Sequence, residues 1–354
     1  MKRILVAPLN WGLGHVTRCI PLIQELEQLG VEVLLASDGV ALHLLRAEFP
    51  HLTTFELPSY RIRYQSANMV WNIGRQLPRI IWAIRRENQA VAQLVRAHGI
   101  QGILSDNRYG CFNQNVNSVL LSHQLHVQLP FKILGWPANS VLRLAINKFD
   151  TLWVPDVAEL PGLAGVLSHG EPVHPDVHYI GILTRMQHYE MEAEYDVAVV
   201  LSGPEPQRSI LEQLLLEQAM EMPHKVIIVQ GKTQSKKHYY AADDVEVVSY
   251  LTTRDLNNVL MASKVLVCRS GYSSIMDLAG LNKKAILIPT PGQTEQEYLA
   301  QTLAAQQFFI SQTQQAIDLD AGIRQLSRTS GLRQGVYATD AFKPVLKNWV
   351  ESLS

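Results

Sequence analysis

RILVAPLNWGLGHVTRCIPLIQELEQLG, running from Arg3 to Gly30, sets the pattern that the rest of the chain repeats. Arg3–Leu9 is apolar after its first residue, too short for a stable helix, and bounded by the glycine-bearing segment Asn10–His15; it reads as a buried strand. Thr17–Leu29 places Ile20, Ile23, Leu26 and Leu29 at helical spacing, and Gly30 is the residue type that closes a helix. Val31–Ala36 is the next strand. Strand, glycine loop, helix and strand make one βαβ unit of a parallel sheet. The start is not read as a signal peptide, because its apolar run stops at Asn10 and no small-residue cleavage pattern follows.

The same alternation continues with strands expected at Ile100–Ser105 and Lys132–Gly135. Between Pro155 and Arg185 it breaks: Pro155, Pro161, Pro172 and Pro175 mix with Gly162, Gly165, Gly170 and Gly181, which reads as loops and a linker. It resumes with a strand at Asp196–Leu201, a loop at Ser202–Pro206 and a helix at Gln207–Met222. Further strands are expected at Val226–Val229, Val245–Val248, Val265–Cys268 and Ala285–Ile288. Asp340–Leu353 is a final helix with Phe342, Val345, Leu346 and Trp349 on one face. The expected fold is α/β, with two Rossmann-like open parallel sheets facing each other across an interdomain cleft, and a C-terminal helix. Its expected parts are an N-terminal domain (1–165), a linker (166–190), a C-terminal domain (191–330) and a C-terminal helix (331–354) packing back on the first domain. Ligands of open α/β sheets sit at the carboxyl ends of the strands, so such a cleft suits a two-part substrate.

Bulk composition narrows the function. A chain of 354 residues can form two domains, and 47% hydrophobic with 18% charged residues marks it as globular. A net charge of -1 gives no field to hold a polyanion, so nucleic acid is not an expected partner. Cys19, Cys111 and Cys268 are scattered and form no CxxC pair, which argues against a disulfide framework or zinc site and for a reducing cytoplasm. No apolar run approaches the roughly 20 residues a membrane-spanning helix needs.

Four strand-to-helix junctions carry chemistry. In Asn10-Trp11-Gly12-Leu13-Gly14-His15 the glycines allow a sharp turn and close backbone approach, and His15 can exchange a proton near neutral pH. In Leu104-Ser105-Asp106-Asn107-Arg108-Tyr109-Gly110, Asp106 ends a strand and can hold the far nitrogen of His15; a helix N-cap is the plainer reading. Asn107, Arg108, Tyr109 and, from Ser122-His123-Gln124, His123 form a weaker acceptor-side set. Ser202 and Gly203 offer backbone amides to a phosphate, with Arg208 as a cationic partner, although Pro204 and Pro206 reduce the amides available. In Val267-Cys268-Arg269-Ser270-Gly271-Tyr272-Ser273-Ser274-Ile275-Met276-Asp277 a strand meets a helix whose first amides suit a diphosphate, with Asp277 one turn further on for a ribose. Gln296 and Glu297 open the next helix and offer acceptors for sugar hydroxyls. Two capped helices in a plain α/β domain would give the same pattern.

Together these pieces resemble the GT-B class of inverting glycosyltransferases. The nearest are glycosyltransferase family 28, with the bacterial lipid-linked N-acetylglucosaminyltransferase of peptidoglycan synthesis, and the UDP-glucuronosyltransferase-like enzymes. GLGHVTRCIPLIQEL resembles the start of their acceptor-side domain, and CRSGYSSIMDLAGL with PTPGQTEQEYLA their donor-binding signature. The resemblance implies that His15 is the general base and Asp106 its partner. It implies backbone contacts from Leu251 to the nucleotide base. Ser270, Gly271, Ser273 and Ser274 fall at the donor diphosphate, Asp277 at the ribose, and Gln296 and Glu297 at the donor sugar; Gly14 and Arg269 are counted with them as donor-binding. Asp277 stands where glutamate is frequent, and Glu297 where glutamine or a similar residue is usual, so the sugar stays open.

The reaction so implied is metal-independent transfer, with inversion, from a nucleotide sugar (UDP being the expected nucleotide) to an acceptor hydroxyl, with a lipid-linked acceptor in view. No cofactor beyond the co-substrate is expected. Asp318-Leu319-Asp320 fits a metal-binding DxD pattern but does not follow a strand, and reads as a surface feature. Between Leu57 and Arg96, seven arginines (61, 63, 75, 79, 85, 86 and 96) face one acid, Glu87, with Trp71, Ile80, Ile81 and Trp82 interleaved. This face suits peripheral contact with the inner surface of the cell membrane; the plainer reading is core tryptophans under a solvated face. The competing readings are a nucleotide-sugar 2-epimerase of the same fold and a non-catalytic nucleotide-sugar-binding subunit.

Overall fold

A computed structural model describes residues 1–60, 69–126, 139–140, 142–233, 235–332 and 337–353. The expected strand Lys132–Gly135 lies outside them. The chain divides into two compact units, Met1–Leu183 with Ala338–Ser354, and Thr184–Tyr337.

In the first unit, β1 (Arg3–Pro8), β2 (Glu32–Ser37), β3 (Thr53–Glu56), β4 (Gly102–Asp106), β5 (Asn117–Leu121), β6 (Thr151–Val154) and β7 (Val177–Tyr179) form one sheet in the order β3-β2-β1-β4-β5-β6-β7. Every pairing is parallel. Ile4, Leu5, Val6 and Ala7 are fully buried, which is why β1 reads as a continuous apolar run: helices cover both faces of a parallel sheet. Three helices, α1 (Gly14–Gln28), α2 (Gly39–Glu48) and α3 (Met69–His98), connect its first strands. α1 ends where Gly30 takes φ +73, a left-handed turn that returns the Val31 amide to the Leu26 carbonyl.

The linker expected at 166–190 needs correction. It contains β7, in register with β6, so the first unit runs to Leu183. A three-residue strand inside a proline- and glycine-rich stretch is defined by its neighbour rather than by its own pattern. The last helix, α9 (Phe342–Ser352), belongs to this unit. Its Trp349 indole donates to Asn117 Oδ1 at 2.6 Å and stands edge-on to Trp153. Lys2 Nζ donates to the Val350 carbonyl at 2.6 Å. The helix lies close over Gly102, where a Cβ would stand 2.7 Å from Leu353 Cδ1 and 3.0 Å from the Trp349 ring and would oblige them to shift.

In the second unit, β8 (Tyr195–Val200), β9 (Val226–Val229), β10 (His238–Ala242), β11 (Val245–Val248), β12 (Ser263–Cys268), β13 (Ala285–Leu287) and β14 (Ile310–Ser311) lie in the order β10-β11-β9-β8-β12-β13-β14. This sheet is parallel except for the β10–β11 hairpin. Its helices are α4 (Gln207–Glu221), α5 (Thr253–Met261), α6 (Tyr272–Leu281), α7 (Thr294–Ala305) and α8 (Leu319–Gln325). Val197, Val199, Val226, Ile228, Val267 and Ile286 pack with Leu211 and Leu215 of α4 in one core.

Each sheet has a switch point, where successive connections diverge to opposite sides. In the first it lies between β1 and β4, in the second between β8 and β12. Open α/β sheets bind ligands at such points, outside the carboxyl ends of the strands.

Candidate active site

At the first switch point Pro8 pairs with Asp106, so the loop leaving β1 and the last residue of β4 emerge together. Gly12, with φ +83, turns that loop into α1, and no side chain caps the helix start. His15, in the first turn, has Nδ1 3.1 Å from Asp106 Oδ1. The two residues singled out for proton transfer therefore meet.

Arg18 meets them both. It stands one helical turn after His15 and is 2% exposed. Its Nε donates to Asp106 Oδ2 at 2.7 Å and its Nη2 to Asp106 Oδ1. Nη2 also lies 2.8 Å from His15 Nδ1, and Nη1 lies 3.0 Å from His123 Nδ1. Sequence reading passed over Arg18; the usable signal was its position three residues after His15 on the same helix face. Burial opposes ionisation of Asp106, yet Arg18, and then His15, outweigh it and hold the carboxyl well below its ordinary range. Burial lowers the pKa of His15, Asp106 opposes that fall and Arg18 reinforces it. The imidazole is thus neutral at neutral pH, as a proton acceptor must be.

The acceptor-side set separates. His123 is held by Arg18. Asn107 follows Asp106 with φ 53, and its Oδ1 is buried without a partner among the described residues. Burial, then Asp106, raises the Tyr109 phenol to about 12. Arg108 is a correction: it is wholly buried and points into the first unit. Its Nε donates to Glu87 Oε1 at 2.5 Å, Nη1 to Asp38 Oδ1 at 2.6 Å and Nη2 to the Pro58 carbonyl at 3.0 Å. Two carboxylates consume its charge, so it is a structural tie between loops. Asn10 joins the same cluster by donating to Asp38 Oδ2 at 3.0 Å.

At the second switch point Ser202 and Gly203 follow β8, while Arg269, Ser270 and Gly271 follow β12. Gly203 has φ +101, a region that favours glycine. Gly271, which has no side chain to cap with, is the N-cap of α6, and the half-buried Ser273 and Ser274 stand in the first turn of that helix. Ser270 Oγ donates to the Gln296 carbonyl at 2.8 Å, which joins this loop to the start of α7. Gln296 Oε1 accepts from the Thr290 amide at 2.8 Å, and Glu297 Oε1 from the Gly292 amide at 2.9 Å. Both residues expected at the donor sugar are therefore bonded within their own loop. Asp277 Oδ1 accepts from Thr184 Oγ1 at 2.7 Å; burial raises its pKa and Arg185 opposes the rise. Leu251 precedes Thr252, whose Oγ1 caps α5.

Arg208 and Arg269 have opposite surroundings. Arg208 as a phosphate partner is corrected: Glu205 and Glu212 both pair with it, and Glu205 also takes the Ser209 amide. No net positive charge remains there. Among the described residues Arg269, 1% exposed, donates only to neutral oxygens, those of Ile288, Pro289, Gln207 and Gln314. Its Nε has no partner among the described residues, and burial pulls its pKa down to about 10. Thr290 Oγ1, also buried without a described partner, lies 3.7 Å from where a Cβ on Gly203 would stand. Sequence reading missed Thr290, which carries no distinguishing local signal.

Asp318 accepts from the Ala321 amide and Asp320 pairs with Arg324, so each aspartate of the DxD pattern has a local use. Among the described residues, no group of three or more His, Cys, Asp or Glu side chains is placed to hold a metal ion. No described helix is long and apolar enough to cross a membrane. On α3, Ile81 and Trp82 are 43% and 60% exposed, Arg79, Arg85 and Arg86 are exposed, and Arg86 lies over the Trp82 ring. Trp82 is therefore a surface residue. Arg61, Arg63, Trp71 and Arg75 lie outside the described side chains.

Residues 197–330 match the glycosyltransferase family 28 C-terminal domain. The chain is 22% identical over 304 residues to the UDP-N-acetylglucosamine--N-acetylmuramyl-(pentapeptide) pyrophosphoryl-undecaprenol N-acetylglucosamine transferase of Methylorubrum extorquens (strain PA1), covering 81% of this chain and 77% of that protein. Among solved structures it is similar to the glycotransferase of kitacinnamycin (TM-score 0.65, 15% identity, 100% of this chain and 99% of that one). It is also similar to Acinetobacter baumannii MurG (TM-score 0.59, 11% identity, 100% of both chains). A third is the spinosyn rhamnosyltransferase SpnG complexed with thymidine diphosphate (TM-score 0.58, 15% identity, 100% and 97%).

Proposed function

We propose, from the premise that the chain is a family 28-like glycosyltransferase of the GT-B fold, that it moves a sugar from a nucleotide diphosphate donor to an acceptor hydroxyl with inversion. The observation that carries this reading is the placement of both candidate sites at switch points: His15 and Asp106 at β1/β4, Ser202–Gly203 and Ser270–Gly271 at β8/β12. The donor diphosphate is the leaving group. The helix terminus at the start of α6, with Ser273 and Ser274, receives its charge, and Arg269 adds a cation that no described carboxylate offsets. Asp277 takes the ribose, and Gln296 and Glu297 exchange their loop bonds for sugar hydroxyls. His15 takes the acceptor's proton on Nε2, in the tautomer whose Nδ1–H faces Asp106, and the acceptor oxygen displaces the diphosphate in line. Charge stabilisation by these groups needs no metal ion.

UDP is the favoured nucleotide, since the curated relative is named for a UDP sugar. That relative's lipid-linked acceptor, with the exposed Trp82–Arg86 face of α3, supports a lipid-linked acceptor and peripheral membrane contact here.

A thermal-shift panel of UDP, TDP and GDP sugars tests the donor half, because a specific ligand raises the melting temperature according to its affinity. One family of nucleotide sugars should shift it at millimolar concentration; silence from all of them defeats the donor assignment. His15→Ala should keep that shift and lose turnover by about 100-fold or more, the scale of a lost general base. Unchanged turnover would remove His15 from the chemistry.

A further inference from the structure

The reaction described above leaves Arg18 without a part, although it touches His15, Asp106 and His123 at once. A neutral imidazole has one hydrogen. His15 Nδ1 can accept from Arg18 Nη2, at 2.8 Å, or donate to Asp106 Oδ1, at 3.1 Å, but not both. We propose that Arg18 is the positioning residue that selects the tautomer of His15: in the resting protein Nη2 donates to Nδ1, the ring proton sits on Nε2, and Asp106 serves as anchor for the guanidinium.

The hydrogens of Arg18 can be counted. Nε–H goes to Asp106 Oδ2, and one hydrogen of Nη2 to Asp106 Oδ1. The second hydrogen of Nη2 points at His15 Nδ1, and one of Nη1 at His123 Nδ1. A proton on His15 Nδ1 would set N–H against N–H. The same fork also occupies both oxygens of Asp106, so the carboxylate has less to offer the ring than an isolated aspartate would. With the proton on Nε2, His15 cannot accept another there. The base-competent form arises when Nε2 releases its proton to solvent and Nδ1 gains one, which it donates to Asp106 Oδ1; the ring's proton count is unchanged. Arg18 then surrenders its bond to Nδ1.

The charged and titratable groups facing His15 are Arg18 on its own helix, Asp106 from β4 and His123 from the loop after β5. Cys19 Sγ and the Tyr109 phenol bear on Asp106. Among them Arg18 and His123 push His15 toward the neutral ring, and Asp106 pulls the other way. A substitution that removes the guanidinium should therefore raise the His15 titration midpoint.

The inference rests on His15 as the base only for its consequence, and the test reads the ring directly. Full-length protein labelled with 15N-histidine is examined by long-range 1H–15N NMR, with the His15 signals identified by their loss in His15→Gln. Wild type should show His15 with a bare Nδ1 and a protonated Nε2 at neutral pH. Arg18→Lys, which keeps the charge but lacks the planar fork, should move the proton to Nδ1. Arg18→Met should raise the midpoint and carry the acid limb of the rate profile upward with it; a merely structural role would lower activity and leave the limb in place. A wild-type His15 protonated at Nδ1, or the same tautomer in wild type and Arg18→Lys, overturns the proposal. Should Arg18→Met not fold, the wild-type and Arg18→Lys spectra still decide. Loss of turnover in His15→Ala tests the base assignment separately.

Discussion

Arg108→Met is expected to destabilise the first unit severely. In the native protein the guanidinium spans Glu87 and Asp38, all three buried. Burial opposes its charge, but Glu87, and with it Asp38, outweigh that and hold its pKa above the ordinary arginine value. Removing one member of a buried ion pair costs about 3–5 kcal/mol, because the partner stays behind uncompensated. Here two carboxylates stay behind, but neither is stripped bare. Glu87 keeps the Tyr60 hydroxyl and the Gly110 amide, and Asp38 keeps Asn10 Nδ2. The two pairs share one guanidinium, so their costs do not add. The expected loss is about 3–4 kcal/mol, which in a unit of roughly 200 residues lowers the melting temperature by about 6–16 °C. Calorimetry and urea denaturation measure it. Arg108→Met combined with Glu87→Gln and Asp38→Asn removes the stranded charges and should recover at least half of the loss. A single variant within about 1 kcal/mol of wild type, or a triple variant no more stable than the single, would refute the reasoning. Had Arg108 been an acceptor ligand, its loss would raise the acceptor KM and leave stability alone.

Two further outcomes follow from the same structure. His15 has a folded pKa below its ordinary 6.5, so the unfolded chain binds more protons as the pH falls under that value. Its contribution is complete above about 6.5 and is lost as the pH drops toward the folded pKa; wild type should lose more stability than His15→Gln between pH 7.5 and 5.5 in urea titrations, and equal losses would contradict the depressed value. On α3, Trp82→Ala with Arg85→Glu and Arg86→Glu should abolish sedimentation with anionic phospholipid vesicles, at about 1 kcal/mol for each arginine near the surface, while wild type should ignore zwitterionic vesicles; wild type that stays in the supernatant with both removes the membrane proposal.

The parts of the fold that could be read from sequence are those whose pattern is local. β1, the glycine turn and α1 announce themselves because a doubly covered strand must be apolar throughout and a helix must repeat near every third or fourth residue. β7 is different: three residues, none fully buried, become a strand only because β6 presents its edge. The candidate site divides in the same way. His15 and Asp106 could be paired in advance since each ends or follows a strand at the carboxyl end of the sheet. For Arg18 the sequence offers only its spacing from His15 on one helix face; its bonds to Asp106 and His123, distant in the chain, are visible only in the fold.

Arg108, Arg208 and Arg269 carry this furthest. Arg108 and Arg269 closely follow a strand's carboxyl end and Arg208 opens the helix after one, places where a cation suggests an anionic ligand. Arg108 faces Asp38 and Glu87 and stands in a cluster with a carboxylate to spare, whereas Arg208 faces Glu205 and Glu212, the latter shared with Lys232, so its cluster is balanced. A phosphate would meet net negative charge beside Arg108 and no net positive charge beside Arg208. Arg269 faces carbonyl and amide oxygens, and its charge persists in a buried place where screening by water is weak. It is the balance of charge around each guanidinium, not the residue type or its place after a strand, that separates a brace from a group able to stabilise a departing diphosphate. For Arg108 and Arg269 that balance is set by Glu87 and Gln314, distant in the chain, and for Arg208 by Glu205 and Glu212, within one turn of it on either side, so three similar junctions in the sequence have three different electrostatic outcomes.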